Sequence, residues 1–114
     1  MSDCLFCKIA DGRIPAKKVH EDAETVAFED LNPQAPVHLL VIPRAHVSRA
    51  TELRPENDAV MGKLFRVAAS LAAARGVADG GFRLVMNTNA DAGQVIFHVH
   101  LHLLGGRTMG WPPG

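Results

Sequence analysis

Apolar and polar stretches alternate along the chain in a way that predicts five strands. The segments 18–21 and 25–29 flank a polar three-residue turn, so we expect them to form a hairpin. The mostly apolar segment 37–42 predicts a third strand, which ends where a proline follows it. Two further strands are predicted at 82–87, after a glycine pair, and at 95–104, which would be the longest.

The clearest helical pattern lies between Pro55 and Gly76. Apolar residues recur there every three or four positions, as they do on the buried face of a helix. These positions are Val60, Leu64, Val67, Ala68, Leu71 and Ala72. Pro55 suits the first turn of a helix, and Gly76 is typical of the position after the last turn. With a short helix at 6–10 and no regular strand–helix alternation, the elements predict an α+β fold with an antiparallel sheet.

Length and charge narrow the class of protein. The 114 residues predict a single domain over 1–114, and 47% of them are hydrophobic, as in ordinary globular proteins. Twelve basic and twelve acidic side chains cancel, whereas a nucleic-acid-binding protein usually has a basic excess. There is no signal-peptide pattern and no apolar run of membrane-spanning length. We therefore expect a cytoplasmic protein without nucleic-acid or membrane partners.

Three histidines at alternate positions carry the strongest chemical signal: His98, His100 and His102. Alternate residues of a strand share one face, so the imidazoles are expected about 7 Å apart on an exposed sheet surface. Such a row suits either a zinc site or nucleophilic and acid–base chemistry on phosphate, and the spacing alone leaves both open. Gly93 favours phosphate, because backbone N–H groups can approach an anion closely at a glycine. Asn87, at the end of the preceding strand, is a candidate neighbour across the sheet.

Cys4 and Cys7 form a Cys-x-x-Cys pair near the start of the chain. In a reducing compartment such a pair points to metal binding or redox chemistry rather than to a structural disulfide. The spacing supplies half of a zinc site, and the absence of a βαβ pattern around the pair disfavours redox chemistry.

Together these motifs resemble the histidine triad (HIT) superfamily. The segment 98–104 is similar to its His-φ-His-φ-His-φ-φ motif, in which φ is hydrophobic, and the flanking segments 14–17, 28–38, 41–46 and 105–114 are similar as well. The short chain and its Trp-Pro-Pro-Gly ending resemble the Hint-like branch of nucleotide-binding phosphoramidases. The resemblance implies a HIT-like fold with a five-stranded antiparallel sheet, a homodimer that joins two such sheets into one, and a C-terminal tail near the active site.

The resemblance also implies a mechanism. His100 would attack the α-phosphorus of an adenosine or guanosine 5′-phosphoramidate, or of an aminoacyl-adenylate. A P–N or P–O bond would break, a nucleotidyl-histidine would form, and water would release the nucleoside monophosphate without a catalytic metal. His102 and His38 would stabilise charge or move protons, and Asn87 would hold the leaving group.

A purine-nucleotide site of the AMP or GMP type is implied in the same way. Asp30 would accept hydrogen bonds from the ribose hydroxyls. Phe6, Ile14 and Leu31 would form the apolar base pocket. Gly93, Gln94 and Val95 would form the phosphate loop. Trp111, in the C-terminal tail, would contact the partner's site. For the base pocket the alternative is ordinary core packing, and for Trp111 it is packing of the tail on its own subunit.

By resemblance, His46 and His98 complete a closed Cys2His2 site for structural zinc with Cys4 and Cys7. Val95 departs from the family pattern, since many Hint-like proteins have serine at this position and valine offers only its backbone N–H. Three other functions stay open. They are a nucleotide-binding regulatory module with incidental catalysis, a dinucleoside polyphosphate hydrolase, and a metal-binding protein whose triad holds catalytic zinc.

Overall fold

Five strands and two α-helices make up the structure, a computed structural model in which residues 3–114 are described. In chain order the elements are α1 (Leu5–Ala10), β1 (Lys18–Glu21), β2 (Thr25–Glu29), β3 (Val37–Pro43), α2 (Asp58–Ala74), β4 (Phe82–Val85) and β5 (Leu101–Gly105). The strands lie in the order β1-β2-β3-β5-β4, and all neighbouring pairs are antiparallel. The predicted α+β fold, with one long helix and a short N-terminal helix, is confirmed. Within residues 3–114 no helix is long and apolar enough to cross a membrane.

The long helix α2 forms where the sequence predicts it, but it starts slightly later. Pro55–Asn57 is a turn of 3₁₀ helix, so α2 begins at Asp58 rather than at the proline. Gly76 ends the helix, because its φ of 76° gives the left-handed conformation that glycine adopts without strain. The N–H of Val77 then donates to the carbonyl of Ala72, which satisfies one of the last carbonyls of the helix.

The sheet separates two hydrophobic clusters. One face packs on α2, whose buried residues are Leu64, Val67, Ala68, Leu71 and Ala72, while Val60 of the predicted set is half-buried. The other face packs on α1 through Phe6 and Ile9. Side chains alternate along β3, so Leu39 belongs to the α2 side and Leu40 to the α1 side.

The same alternation decides where the histidines lie. Leu101 and Leu103 of β5 belong to the cluster under α2, so His102 between them faces α1. His38, one residue before Leu39 in β3, faces the same way. Two strands thereby carry imidazoles to one side of the sheet, next to the short helix.

β5 is much shorter than the predicted strand 95–104, since it begins at Leu101. β3 pairs Val41 with Leu101, so the same register continued by two residues would set Pro43 opposite Val99. Pro43 has no N–H to donate, and the N–H of Val99 donates instead to the carbonyl of Val47. The segment before β5 therefore leaves the ladder, and the triad spans the boundary between an irregular segment and a strand.

Candidate functional site

The imidazoles of His38, His100 and His102 meet on the α1 face of the sheet. His38 lies on β3 and His102 on β5, where His102 is paired with Leu40, two residues along from His38. Nε2 of His38 lies 2.9 Å from Nδ1 of His102, and the ring centroids of His100 and His102 are 5.0 Å apart. The structure thus brings together three of the four residues predicted to be catalytic.

Hydrogen bonds determine which nitrogens carry protons on two of these rings. The backbone N–H of Gln34 donates to Nδ1 of His38 at 3.0 Å, so neutral His38 has its proton on Nε2. That N–H donates to Nδ1 of His102, which leaves neutral His102 with its proton on Nε2. His102 is therefore a hydrogen-bond donor at the nitrogen turned away from His38.

His100 has its proton on the other nitrogen. Nδ1 lies 2.7 Å from the carbonyl oxygen of His98, which can only accept, so Nδ1 carries the proton and Nε2 keeps a lone pair. The prediction of an exposed ring is wrong: the residue is only 7% exposed, because Phe6 packs edge-on against it at 5.0 Å between ring centroids. Nε2 makes no hydrogen bond within residues 3–114, and it is not among the fully buried side-chain atoms that lack a partner there. This nitrogen therefore reaches the surface. An accessible, unprotonated imidazole nitrogen is what nucleophilic attack requires.

Burial keeps the cluster neutral near pH 7. Loss of hydration lowers the pKa of His38 and of His100, and it lowers the pKa of His102 to about 4. Asp30, whose Oδ2 is 3.5 Å from Nε2 of His38, raises these pKa values but by less than burial lowers them. Neutral rings keep the proton positions given above, with a lone pair on His100 and an N–H on His102.

An apolar cavity of about 230 Å³ opens beside the histidines. All four residues that were expected to contact the base and ribose line it: Phe6, Ile14, Asp30 and Leu31. Sequence analysis assigned none of the other wall residues to it, among them the apolar residues Ile9, Phe28 and Leu40. Phe6 belongs both to the hydrophobic core and to the cavity wall, since it touches His100 and also packs on Phe28. Leu31, in contrast, is fully exposed at the rim of the cavity.

A larger cleft of about 510 Å³ lies between the C-terminus of α2 and the C-terminal tail, away from the histidines. Its charged residues are Arg83 and Arg107, which donate to the carbonyls of Gly110 and Gln34. The cleft is lined by no histidine, cysteine or carboxylate among the described residues. The smaller cavity has no histidine in its wall, but its wall residues Phe6 and Asp30 contact His100 and His38, so the chemistry points to that cavity.

The predicted phosphate loop uses its N–H groups differently from the expectation. The N–H of Gly93 donates to the carbonyl of Ala90, and that of Gln94 donates to the carbonyl of Asn89. Both N–H groups are therefore engaged within the turn, and the close approach of a phosphate to the backbone at Gly93 stays a prediction. Val95 is 80% exposed, and its N–H makes no hydrogen bond within residues 3–114. Of the three predicted loop residues, Val95 alone offers an N–H to a ligand.

For Asn87 and Trp111 the structure shows no side-chain hydrogen bond to the histidine cluster within residues 3–114. β4 ends at Val85, so Asn87 follows the strand instead of ending it. The register that pairs Val85 with His102 would, if continued, set Asn87 level with His100, and its half-buried side chain makes no hydrogen bond within the described chain. Trp111 is 83% exposed.

A second cluster forms where α1 meets the end of β3: Cys4, Cys7, His46 and His98. Sγ of Cys4 lies 3.4 Å from Nδ1 of His98, Sγ of Cys7 lies 3.4 Å from Nδ1 of His46, and the two Nδ1 atoms are 3.2 Å apart. Tetrahedral zinc with ordinary bond lengths sets sulfur and nitrogen ligands about 3.6 Å apart and two nitrogens about 3.3 Å apart. The four residues therefore fit a zinc ion in type, number and spacing.

The proton on His98 also agrees with metal binding. Its Nε2 donates to the carbonyl of Pro43 at 2.8 Å, so Nδ1 has the lone pair and faces Cys4 and Cys7. Burial lowers the pKa of His98 to about 4, so the ring stays neutral, as a metal ligand must be.

A third group, Asp30, His38 and His102, also has side-chain atoms close enough to share an ion. Its protons do not suit one. Nδ1 of His38 accepts from Gln34, so Nε2 must hold the proton of the neutral ring and has no lone pair for a metal. A catalytic zinc ion at this position conflicts with the hydrogen bonding of the cluster.

Sequence analysis did not identify Ser48 and Arg49 as residues that contact the loop around Gln94. The carbonyl of Ser48 accepts from Nε2 of Gln94 at 2.9 Å, and Arg49 donates to Oδ1 of Asn89 at 2.9 Å while stacking on Phe97 at 4.9 Å. The partners of these two residues lie some 40 positions further along the chain, and no local pattern signals such contacts.

Comparison with known proteins agrees with this geometry. The profile of the HIT domain family matches residues 11–109. An uncharacterised HIT-like protein of Synechocystis sp. is 48% identical over 112 residues, which are 98% of this chain and 97% of that protein. The purine nucleoside phosphoramidase of Escherichia coli K12 is 41% identical over 108 residues, or 95% of this chain and 91% of that protein. A solved HIT family hydrolase from Legionella pneumophila matches with a TM-score of 0.97 at 48% identity, over 98% of this chain and 100% of that one.

Proposed function

The chain belongs to the HIT domain family, and from this premise we propose that it is a nucleotide-binding hydrolase acting on purine nucleoside 5′-phosphoramidates or aminoacyl-adenylates. The reaction breaks the P–N or P–O bond at the α-phosphate and releases the nucleoside monophosphate. The observation that carries the proposal is the proton position of His100, which leaves a lone pair on Nε2 of a ring that packs against Phe6, a residue of the cavity wall. The names of the E. coli phosphoramidase and the Legionella hydrolase support the same chemistry.

In the first step, Nε2 of His100 attacks the α-phosphorus. Its lone pair forms an N–P bond while the bond to the leaving group breaks. A leaving amine takes a proton from water, whereas the amino acid of an aminoacyl-adenylate leaves as its carboxylate. The imidazole is then substituted on Nε2 and protonated on Nδ1, so it is positively charged. The carbonyl of His98, 2.7 Å from Nδ1, stabilises that charge because a hydrogen bond to a charged group is stronger than one to a neutral group.

In the second step, water attacks the phosphorus of the nucleotidyl-histidine. The N–P bond breaks, its electron pair returns to Nε2 of His100, and the nucleoside monophosphate leaves with the oxygen of the water while the proton that the water loses passes to solvent. His102 acts in both steps by donating its Nε2–H to a phosphate oxygen. His38 keeps that proton in place by donating to Nδ1 of His102.

The nucleotide would bind with its base in the apolar cavity and its ribose near Asp30. Oδ1 of Asp30 already accepts from the N–H of Asn32 at 2.8 Å, which leaves Oδ2 for the ribose hydroxyls. The aromatic rings of Phe6 and Phe28 offer an apolar wall to a flat purine base. AMP and GMP are the expected products.

A structural zinc ion is part of the proposal, held by Cys4, Cys7, His46 and His98. With four protein ligands the ion has no open position for a substrate, so it would supply stability rather than chemistry. Cys4 caps the N-terminus of α1, and His46 follows β3. The ion would therefore fasten α1, and with it Phe6, to the sheet. A reducing cytoplasm is the compartment in which these thiols would stay available.

We also propose the homodimer that the resemblance implies. β4 is an edge strand that pairs only with β5 within the described chain, and Phe65 on the outer side of α2 is 51% exposed. Pairing two copies along β4 would join their sheets and cover Phe65. Trp111, exposed in the single chain, would then be available to the partner's site.

The decisive experiment is incubation of the protein with adenosine 5′-phosphoramidate at neutral pH. We expect AMP and ammonia as products, and rapid quenching in alkaline denaturant, in which the N–P bond survives, should leave an AMP-sized mass increment on the peptide that contains His100. Binding of AMP without any turnover or covalent adduct would refute the hydrolase. It would favour the regulatory module instead, for which the absence of a hydroxyl at Val95 is the supporting observation.

A further inference from the structure

Gln94 is buried although both of its neighbours in the chain are exposed. Its side chain is 6% exposed, whereas Val95 is 80% exposed. Oε1 accepts from the N–H of Asn89 at 2.9 Å, and Nε2 donates to the carbonyls of Ser48 at 2.9 Å and Ile96 at 3.2 Å. The amide thus makes three hydrogen bonds to the backbone, and both of its N–H groups are used, so it has no donor left for a phosphate that approaches from solvent.

The first of these bonds holds a residue in an unfavourable conformation. Asn89 has φ 66° and ψ −175°, a region in which essentially only glycine is at ease. Gln94 holds this residue at both ends, because Oε1 accepts from its N–H and the Gln94 N–H donates to its carbonyl at 3.1 Å. Arg49 holds the Asn89 side chain through Oδ1. A strained residue persists only where its surroundings fix it, and here Gln94 supplies most of that support.

The other two bonds attach this loop to the rest of the protein. Through Ser48, the Gln94 side chain joins the loop to the segment that follows β3 and carries His46. Through Ile96, it fixes the chain on the far side of Val95. Residues before and after Val95 are therefore anchored by one side chain, and the direction of the Val95 N–H depends on it.

We propose that Gln94 is a positioning residue that orients the N–H of Val95 toward the phosphate of the bound nucleotide. This inference rests on the proposed function, which places a phosphate beside His100. It assigns the side chain of Gln94 a role different from contact with the nucleotide. It also makes the recognition of phosphate in this loop depend on a single backbone donor.

The test compares Gln94→Met, which keeps the shape of the side chain and removes its hydrogen bonds, with the wild-type protein. Calorimetry with AMP and with adenosine separates a specific loss of phosphate binding from a general loss of nucleotide binding, because only AMP has the phosphate. We expect the affinity for AMP to fall at least tenfold and that for adenosine to change less than twofold, with kcat on the phosphoramidate falling in parallel. Equal losses for AMP and adenosine, or no loss for AMP, would overturn the proposal.

Two further variants keep the test decisive. If Gln94→Met does not fold, Gln94→Asn retains an amide that is too short to reach all three partners, and the same pattern of losses is expected. Adding Asn89→Gly to either variant should restore part of the AMP affinity, because glycine adopts this conformation without support.

Asn57→Ala, which removes a side-chain bond to the N–H of Arg54 before α2, is the matched control and should leave both affinities unchanged. A wild-type protein that neither binds AMP nor turns over the phosphoramidate would refute the proposed function itself, before Gln94 is tested.

Discussion

Nδ1 of His100 donates to the carbonyl oxygen of His98, although the ring of His98 belongs to the cysteine cluster. The main chain of one histidine thereby decides which nitrogen of the next holds its proton. The two clusters share His98 but use different atoms of it: the side chain faces the thiols and the carbonyl faces His100. Because the atoms differ, chemistry and metal binding can be tested separately.

Replacing His100 with alanine should abolish turnover of the phosphoramidate and leave the affinity for AMP within about tenfold, or 1.4 kcal/mol. The nucleophile is lost while the base cavity and Asp30 remain. Steady-state kinetics and calorimetry measure the two quantities. His20→Ala is the matched control, since its ring bonds Asp22 on the β1–β2 hairpin at 2.7 Å, and it should keep full turnover. Turnover by the His100 variant would show that another group attacks.

Acidification should destabilise the protein through His102. Burial lowers the pKa of this ring to about 4, below its ordinary value of 6.5, so the unfolded chain binds the proton first as the pH falls. The free energy of unfolding should therefore decrease as pH falls from about 6.5 toward 4, by about 1–2 kcal/mol for this group. Urea unfolding at a series of pH values measures it. In His102→Asn, whose amide oxygen can still accept from His38, the slope over this range should be smaller; an identical slope would exclude His102 as its source.

Removing the metal should lower stability without removing the chemistry. We expect about one zinc per chain by elemental analysis, and we expect Cys7→Ser or a strong chelator to lower Tm by about 10 °C, equivalent to roughly 2 kcal/mol. Phosphoramidate turnover by the protein that stays folded at 25 °C should persist. Asp30→Asn is the control for the other group of possible ligands and should retain its zinc. Loss of turnover in proportion to zinc, with the fold intact, would contradict a structural role.

Adding one methyl group at Gly105 should disrupt the contact between β5 and Val77, in the segment that follows α2. A Cβ atom at this position would lie 2.9 Å from Cβ and Cγ2 of Val77, which is buried. Gly105→Ala should therefore lower the free energy of unfolding by about 1–3 kcal/mol, and Val77→Ala in the same chain should restore part of it. Gly62→Ala is the matched control: no atom lies within 4 Å of the added Cβ, so we expect a gain of about 0.5–1 kcal/mol. Chemical denaturation compares the variants.

Giving the loop a hydroxyl should speed departure of the leaving group. Val95→Thr has nearly the same shape as valine, and the side chain is 80% exposed, so the stability should hardly change. We expect kcat to rise about tenfold, as one added proton-donating group can provide. Val95→Ala, which removes the methyl groups without adding a hydroxyl, should not raise kcat; an equal rise in both variants would attribute the effect to space alone.

The elements of the fold follow from local patterns, and so do the faces on which they pack. The spacing of Leu64, Val67 and Leu71 predicts the buried side of α2, and Gly76 predicts its end, because a single helix geometry produces both signals. Alternation along 98–102 predicts that the histidines share a side of the chain. It does not predict their burial, which depends on Phe6, some 90 residues away in sequence.

The loop around Gln94 is the part that local patterns could not predict. Gly93 indicates a turn, but the use of its N–H inside that turn depends on the conformation of Asn89. That conformation depends on Gln94 and on Arg49, from a distant segment. Only the folded chain brings these groups together, so the sequence indicates that a loop is present without indicating which N–H it presents.

Pro43 has a consequence that reaches beyond the end of its strand. Having no N–H, it interrupts the pairing of β3 with β5, and its carbonyl is taken by the imidazole of His98 instead. Were an N–H present there, the sheet could extend along the whole histidine repeat and treat its three members alike. One absent donor on a neighbouring strand thus divides a uniform repeat into one histidine whose ring faces the cysteines of the amino-terminal helix and two whose rings lie together beside His38.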